Sequence, residues 1–219
     1  MTLLAAQTDF TEAGELMLFI NESQIAYLED TMWECGCLDT PQMAGAFQML
    51  RSNDLIWSRL VRQYLRGDEP VTTDLMAWNA DGTRLPYRMH SECMRQLLPG
   101  NDLTEGRFHV EGRPIALTDI RAPIFAVGTV HDHVAPWKSV YKIHLPSDTA
   151  VTFALAEHGH NTGIAAGTDN PKTHFRITER EADARCIDPD TWSATAPLRS
   201  GSGPLRAGAM NGVRCGRSS

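Results

Sequence analysis

Residues 121–163 read RAPIFAVGTV HDHVAPWKSV YKIHLPSDTA VTFALAEHGH NTG, and this stretch decides the fold. Two apolar runs, 124–128 and 151–156, have the length and composition of strands that are buried on both faces. Between them Pro136 opens a segment, 137–144, in which apolar and aromatic side chains recur at helical spacing. A strand, a helix and a strand in this order predict two parallel strands of an α/β sheet.

Each of the two predicted strands is followed by a polar loop that carries an acid and a histidine. Asp132 lies in the first loop and His160 in the second. In open α/β sheets, chemistry collects on the loops at the carboxyl ends of the strands. This pattern favours a nucleophile–His–acid triad on an α/β-hydrolase-like sheet, in which the acid and the histidine follow the nucleophile along the chain. Asp132 would hold the tautomer of His160 and stabilise its imidazolium.

The same loops also allow a metal site. They contain two H-x-H pairs, at 131–133 and 158–160, with Glu157 beside the second. Neutral imidazoles and carboxylates are ordinary zinc ligands, and an open coordination position could activate water. However, both pairs lie in irregular loops, and the chain has no helical H-E-x-x-H motif. A metal-dependent hydrolase is therefore the weaker alternative, and we expect no metal or other cofactor.

Length, charge and cysteine content exclude several classes of protein. The chain has 219 residues, enough for one ordinary domain or for a core with an insertion. Its net charge of −7 gives no electrostatic footprint for nucleic acid or for an anionic membrane. No apolar run approaches the roughly 20 residues of a membrane span, and no secretory signal is evident. Five cysteines at irregular spacing do not form a disulfide framework, so we expect a reducing cytoplasm.

The remaining chain divides into four predicted regions. Residues 1–8 begin with an apolar run typical of a core strand, and 9–104 form a block of short helices rich in Trp and Met. Residues 105–182 contain a small hairpin followed by the two core strands. In 183–219, a turn leads into a Gly-, Ser- and Arg-rich tail with little to bury, for which we predict disorder.

Several longer motifs are familiar in sequence and in order. They are TLLAAQTDF at 2–10, DLMAWNAD at 74–81, LPYRMH at 85–90, GT at 128–129 with DHVAPW at 132–137, GHNTG at 159–163 and DPDTW at 188–192. These stretches resemble the class I polyhydroxyalkanoate synthases, also called poly(3-hydroxybutyrate) polymerases. The resemblance covers residues 1–197.

The resemblance implies a fold and an activity. The fold is the C-terminal part of an α/β-hydrolase domain with parallel core strands, and the helical block 9–104 is a cap inserted into it. The activity is that of an acyltransferase, which polymerises (R)-3-hydroxyacyl-CoA into polyester with release of CoA while a cysteine thiolate holds the growing chain. His160 is then the general base for this cysteine. Asp132 either orients His160 or activates the 3-hydroxyl of the incoming unit, and His133 is either a partner of the pair or a structural histidine.

The chain departs from the family at the nucleophile. The family's cysteine lies in a G-x-C-x-G elbow upstream of the segment that matches Thr2. None of the five cysteines has that glycine frame: Cys35, Cys37, Cys93, Cys186 and Cys215. We therefore expect a portion of a synthase that carries the Asp and His but no nucleophile and is inactive alone. It would associate with an N-terminal half or a second copy, in the cytoplasm or at the polymer granule surface. A non-catalytic binding or scaffold piece is the alternative.

Overall fold

The computed structural model describes residues 1–50, 52–69, 74–165 and 173–201. The chain divides into two compact units. The first consists of Met1–Gly14 together with the chain from Gln96 onward, and the second is Glu15–Arg95. Residues 183–219 were predicted to be a turn and a disordered tail, but Pro189–Thr195 form a helix and Leu198–Ser200 a strand. The tail from position 202 lies outside the described residues.

The bounds of the elements are as follows. The strands are β1 Thr2–Leu4, β2 Cys37–Leu38, β3 Leu85–Pro86, β4 His109–Val110, β5 Arg113–Pro114, β6 Ile124–Thr129, β7 Val151–Ala156, β8 His174–Arg180 and β9 Leu198–Ser200. The α-helices are α1 Glu22–Cys35, α2 Thr40–Leu50, α3 Ser58–Leu60, α4 Asp74–Ala80, α5 Tyr87–Glu92, α6 Trp137–Tyr141, α7 Thr162–Ala165 and α8 Pro189–Thr195. Short 3₁₀ segments lie at Gly14–Phe19, Leu117–Asp119 and Lys142–His144, and π-helical segments at Asn53–Trp57, Val61–Leu65 and Cys93–Leu97.

The first unit is built on a five-stranded sheet with the order β1-β6-β7-β8-β9. Strands β1, β6 and β7 are parallel, as the sequence predicts. The pairing of β6 with β7 runs without interruption from Ile124 opposite Val151 to Thr129 opposite Ala156. The two strands therefore end level with each other, and the loops that follow them leave the sheet at the same edge.

The sheet is mixed rather than purely parallel, because β8 runs antiparallel to β7 and β9 antiparallel to β8. Neither of these two strands is predicted from the sequence. In β8, Phe175 and Ile177 are buried while their neighbours are partly exposed. This period of two is the mark of a strand with one face on the core. The unit therefore has an α/β fold with a parallel centre and two antiparallel strands at one side.

Both faces of β6 and β7 are buried. Phe153 packs on one face with Tyr141 and Trp192, at ring-centroid distances of 5.0 and 5.1 Å. On the other face Ala154 belongs to a separate buried cluster. Helix α6 approaches closely at Gly128, where an added Cβ would lie 3.1 Å from the Cβ of Trp137. Close packing on both sides fixes the height and direction of the loops above these strands.

The second unit is mostly helical. Helix α1 begins after Asn21, whose side chain accepts a hydrogen bond from the amide of Gln24, and it ends at Gly36 with φ +71°. The short strands β2 and β3 pair antiparallel. Arg95 forms ion pairs of 2.7 Å with Glu29 and 2.8 Å with Glu22, which fasten it to α1. No helix in the described part of the chain has both the length and the apolar character needed to cross a membrane.

Candidate active site

The loop after β6 holds Asp132 by its backbone. The amide of Asp132 donates to the carbonyl of Thr129 at 3.2 Å, which closes a turn directly at the end of the strand. Asp132 Oδ1 then accepts hydrogen bonds from the amides of Val134 at 2.9 Å and Ala135 at 2.8 Å. The carboxylate therefore has a fixed orientation before any other side chain contacts it.

The loop after β7 is fastened to the first loop. The amide of His131 donates to the carbonyl of His158 at 3.0 Å. His158 has φ +86°, a backbone conformation that residues other than glycine rarely adopt. The chain then turns into α7, where the amide of Gly163 donates to the carbonyl of Gly159 at 2.8 Å. This turn carries His160.

The structure brings the two predicted side chains together. His160 Nδ1 lies 2.8 Å from Asp132 Oδ2, and the hydroxyl of Thr129 donates to the same oxygen at 3.1 Å. The side chain of Asp132 is fully buried, whereas that of His160 is 35% exposed. Because a carboxylate only accepts hydrogen bonds, the proton of a neutral His160 lies on Nδ1. Nε2 is then the ring nitrogen with a lone pair for proton transfer.

Asp132 stays ionised in this setting. Burial by itself raises the pKa of this carboxyl. The hydrogen bonds from His160 and from the amides of Ala135 and Val134 act in the opposite direction and hold the pKa below its ordinary value. The result is a buried anion next to an imidazole that has access to solvent. Such a pair can take a proton at Nε2 and stabilise the imidazolium that forms.

The other predicted residues stand apart from this pair. His133 is half-buried and makes no hydrogen bond to Asp132 or to His160. The described residues contain no group of three or more His, Cys, Asp or Glu side chains that could hold a metal ion. The two H-x-H pairs therefore do not assemble a metal site there, which goes against the metal-dependent alternative.

Two features at the carboxyl ends of β6 and β7 are not predicted from the sequence. One is Thr129, whose hydroxyl contacts Asp132; a hydroxyl residue at the end of a buried strand is the signal that could have found it. The other is a pair formed by Glu157 and His174, with Oε2 and Nδ1 3.3 Å apart. His174 opens β8, so this contact depends on an antiparallel strand that was not predicted.

The described cysteines do not supply a nucleophile near the pair in the first unit. Among the described residues, the first unit contains one cysteine, Cys186. It follows β8, whose last residue, Arg180, is level with Val151 at the start of β7. Arg180 also donates to the carbonyl of Ala184 at 3.1 Å, which keeps this segment at the far end of the sheet from His160. Cys215 lies outside the described residues.

Comparison with known proteins identifies relatives of this chain, although no protein-family model matches it. The chain is 38% identical over 201 residues to the poly(3-hydroxyalkanoate) polymerase subunit PhaC of Rhizobium meliloti, a match that covers 92% of this chain and 32% of the relative. It is 39% identical over 202 residues to the poly(3-hydroxyalkanoate) polymerase of Methylorubrum extorquens, covering 92% of this chain and 33% of the relative. With the PhaC subunit of Cupriavidus necator the identity is 32% over 208 residues, covering 92% of this chain and 35% of the relative. The chain spans about a third of the length of these relatives. It belongs to the poly(3-hydroxyalkanoate) polymerase family and matches a portion of these polymerases.

Proposed function

We propose that this chain is the C-terminal part of the α/β-hydrolase domain of a class I polyhydroxyalkanoate synthase, with the helical block 9–104 as its cap. The whole enzyme is then an acyltransferase that polymerises (R)-3-hydroxyacyl-CoA into polyester and releases CoA. The observation that carries the proposal is the 2.8 Å hydrogen bond between His160 and the buried Asp132, above adjacent parallel strands. The match to the polymerases over 92% of the chain supports it.

The geometry supports a definite division of labour in this proposal. His160 Nε2 takes the proton from a cysteine thiol, and the thiolate attacks the thioester carbonyl to form an acyl–sulfur bond. The carbon–sulfur bond to CoA breaks, and the imidazolium returns the proton to the CoA thiolate. Asp132 stabilises the imidazolium during this cycle.

The surroundings of Asp132 favour an orienting role over direct activation of the 3-hydroxyl of the incoming unit. Its Oδ1 accepts two backbone amides, and its Oδ2 accepts from His160 and Thr129. The side chain is fully buried as well. A substrate hydroxyl would have to displace one of these donors before Asp132 could accept its proton. His160 is the exposed member of the pair and is the group in reach of a substrate.

In this proposal the chain does not provide the nucleophilic cysteine thiol. None of its cysteines has the G-x-C-x-G frame, and Cys186 lies at the far end of the sheet. An acid–base pair without a nucleophile cannot form the covalent acyl intermediate. We therefore propose that these 219 residues are inactive alone and that the cysteine comes from a part of the polymerase outside them.

A binding or scaffold piece of the polymer synthesis machinery is the second candidate. It is favoured by large exposed apolar side chains in the second unit, among them Trp33 at 74%, Tyr64 at 81% and Leu65 at 72% exposure. Large exposed apolar surfaces mark interaction sites. In the described part of the first unit, β1 also pairs on one side alone, with β6. An edge strand of this kind can accept a further strand.

Reconstitution tests the proposal and separates the two candidates. CoA release from (R)-3-hydroxybutyryl-CoA is followed with a thiol reagent, first for this chain alone and then with the separately expressed portion of the Methylorubrum extorquens polymerase that precedes the match. We expect no turnover alone and turnover in the mixture, abolished by His160→Gln. Turnover by the chain alone would refute the missing nucleophile. A stable complex without turnover would support the scaffold instead.

A further inference from the structure

Thr129 contacts both the acid and the turn that carries the histidine. It is the last residue of β6, opposite Ala156 at the end of β7, and it is completely buried. Its β-branched side chain ends in a hydroxyl on one side and a methyl group on the other. The two ends meet different loops, so each can be removed separately by substitution.

The hydroxyl of Thr129 faces the acid. It donates to Asp132 Oδ2 at 3.1 Å, the same oxygen that accepts from His160 Nδ1 at 2.8 Å. With Oδ1 held by two backbone amides, the hydroxyl completes the set of donors to the carboxylate. It therefore limits rotation of the carboxylate about its Cβ–Cγ bond, and it shares the charge on Oδ2 with the imidazole.

The methyl group of Thr129 faces the turn that carries His160. A Cβ added to Gly163 would lie 2.5 Å from Thr129 Cγ2 and 3.0 Å from the carbonyl oxygen of Glu157. Real carbon atoms do not approach so closely, so Gly163 is required by contact with Thr129. The methyl group thus sets how near the first turn of α7 comes to β6. His160 lies three residues before Gly163 in the same turn.

We propose that Thr129 is the positioning residue of the Asp132–His160 pair: its hydroxyl orients the acid while its methyl group, through Gly163, sets the height of the imidazole. The catalytic consequence rests on the proposed function, but the alignment itself does not. Serine keeps the hydroxyl and loses the methyl group, and valine keeps the shape and loses the hydroxyl. This chain therefore offers a matched pair of variants at one site.

The first experiment observes the Nδ1 proton of His160 by NMR in the isolated chain, which needs no polymerase activity. We expect Thr129→Val to move this resonance to lower field, because Oδ2 then accepts from the imidazole alone. Thr129→Ser keeps the hydroxyl and should therefore show no such downfield shift. Identical spectra for the two variants would overturn the role of the hydroxyl. Hydrogen exchange of the β6 and β7 amides reports whether both variants keep the sheet.

The second experiment tests the methyl contact through a double substitution. Gly163→Ala places a Cβ against the methyl group and is expected to abolish the Nδ1 resonance. Combining it with Thr129→Ser removes the methyl group, and the resonance should return at least in part. Absence of any recovery would overturn the role of the methyl group, as would an unchanged spectrum for Gly163→Ala alone. The reconstituted polymerase can fail without affecting either outcome, so the two proposals are tested separately.

Discussion

Replacement of Asp132 is the most informative perturbation of the candidate site. Its carboxylate accepts four hydrogen bonds, two from the amides of Val134 and Ala135 and two from the side chains of Thr129 and His160. Asp132→Ala leaves these donors without an acceptor in a buried setting. At about 1 kcal/mol for each lost bond, the first unit should lose about 4 kcal/mol of stability. Asp132→Asn keeps one carbonyl oxygen for the two amides, so its loss should be about 2 kcal/mol.

Hydrogen exchange of the β6 and β7 amides measures this loss within the first unit alone, which avoids treating a chain of two units as one transition. Asp188→Asn is the matched control, because Asp188 is an exposed helix cap and Asn caps about as well. It should change protection by less than about 0.5 kcal/mol. A loss below about 1 kcal/mol for Asp132→Ala would refute the view that the carboxylate organises the loop.

Asp132→Asn also tests the tautomer of His160. With its carbonyl oxygen on the two backbone amides, the Asn side chain presents its amide nitrogen to the imidazole, so Nδ1 has to accept and can no longer donate. We expect the proton of His160 to move to Nε2, visible in its ¹⁵N shifts.

The pKa of Asp132 is lower in the folded state than in the unfolded state. The contribution of Asp132 to the free energy of unfolding is therefore complete above the unfolded pKa of about 3.9 and is lost as the pH falls through the folded pKa.

Three further predictions concern single residues of the first unit. Burial lowers the pKa of His144 to about 4. The free energy of unfolding should therefore fall by about 3 kcal/mol as the pH drops from about 6.5 to 4. His144→Gln should flatten this pH dependence in acid unfolding curves. His158→Gly relieves φ +86° and should leave or raise the melting temperature; a loss above about 1 kcal/mol would contradict it. Gly14 and Gly112 both have φ +76°, but a Cβ added at Gly14 would lie 2.8 Å from Pro136, whereas one added at Gly112 would face open space. Gly14→Ala should therefore lower the free energy of unfolding by about 1–2 kcal/mol more than Gly112→Ala, as measured by denaturant unfolding.

The centre of the fold could be predicted because its signals are local. The apolar runs at 124–128 and 151–156 and the helix between them lie within 43 consecutive residues, 121–163, and they occur in the structure as β6, α6 and β7. Parallel pairing follows from the intervening helix, and level loops follow from the pairing. For this reason the proximity of Asp132 and His160 could be predicted as well.

The missed features depend on contacts that local patterns express weakly. Strand β8, HFRITER, alternates apolar and polar side chains, but four of its seven residues are charged or histidine. β8 is recognised as a strand through its antiparallel pairing with β7. Strand β9 is exposed along its length and has a single apolar residue, Leu198, which is too weak a pattern to predict a strand. The contact between Thr129 and Gly163 joins positions 34 apart on two elements, and a short residue at 163 does not by itself indicate what it faces.

The pairing of Thr129 with Ala156 has a consequence for which parts of the chain can vary without disturbing the candidate site. The spacing of the acid and the imidazole is set by the hydrogen-bond ladder beneath them and by the turns at its upper end. All of these parts belong to the first unit, whereas the helices of Glu15–Arg95 are an interruption of the chain between its pieces. Insertions, deletions and changes of hydrophobicity within Glu15–Arg95 replace none of the residues that form this ladder. The unit Glu15–Arg95 can therefore change in length and composition while the spacing of Asp132 and His160 stays the same.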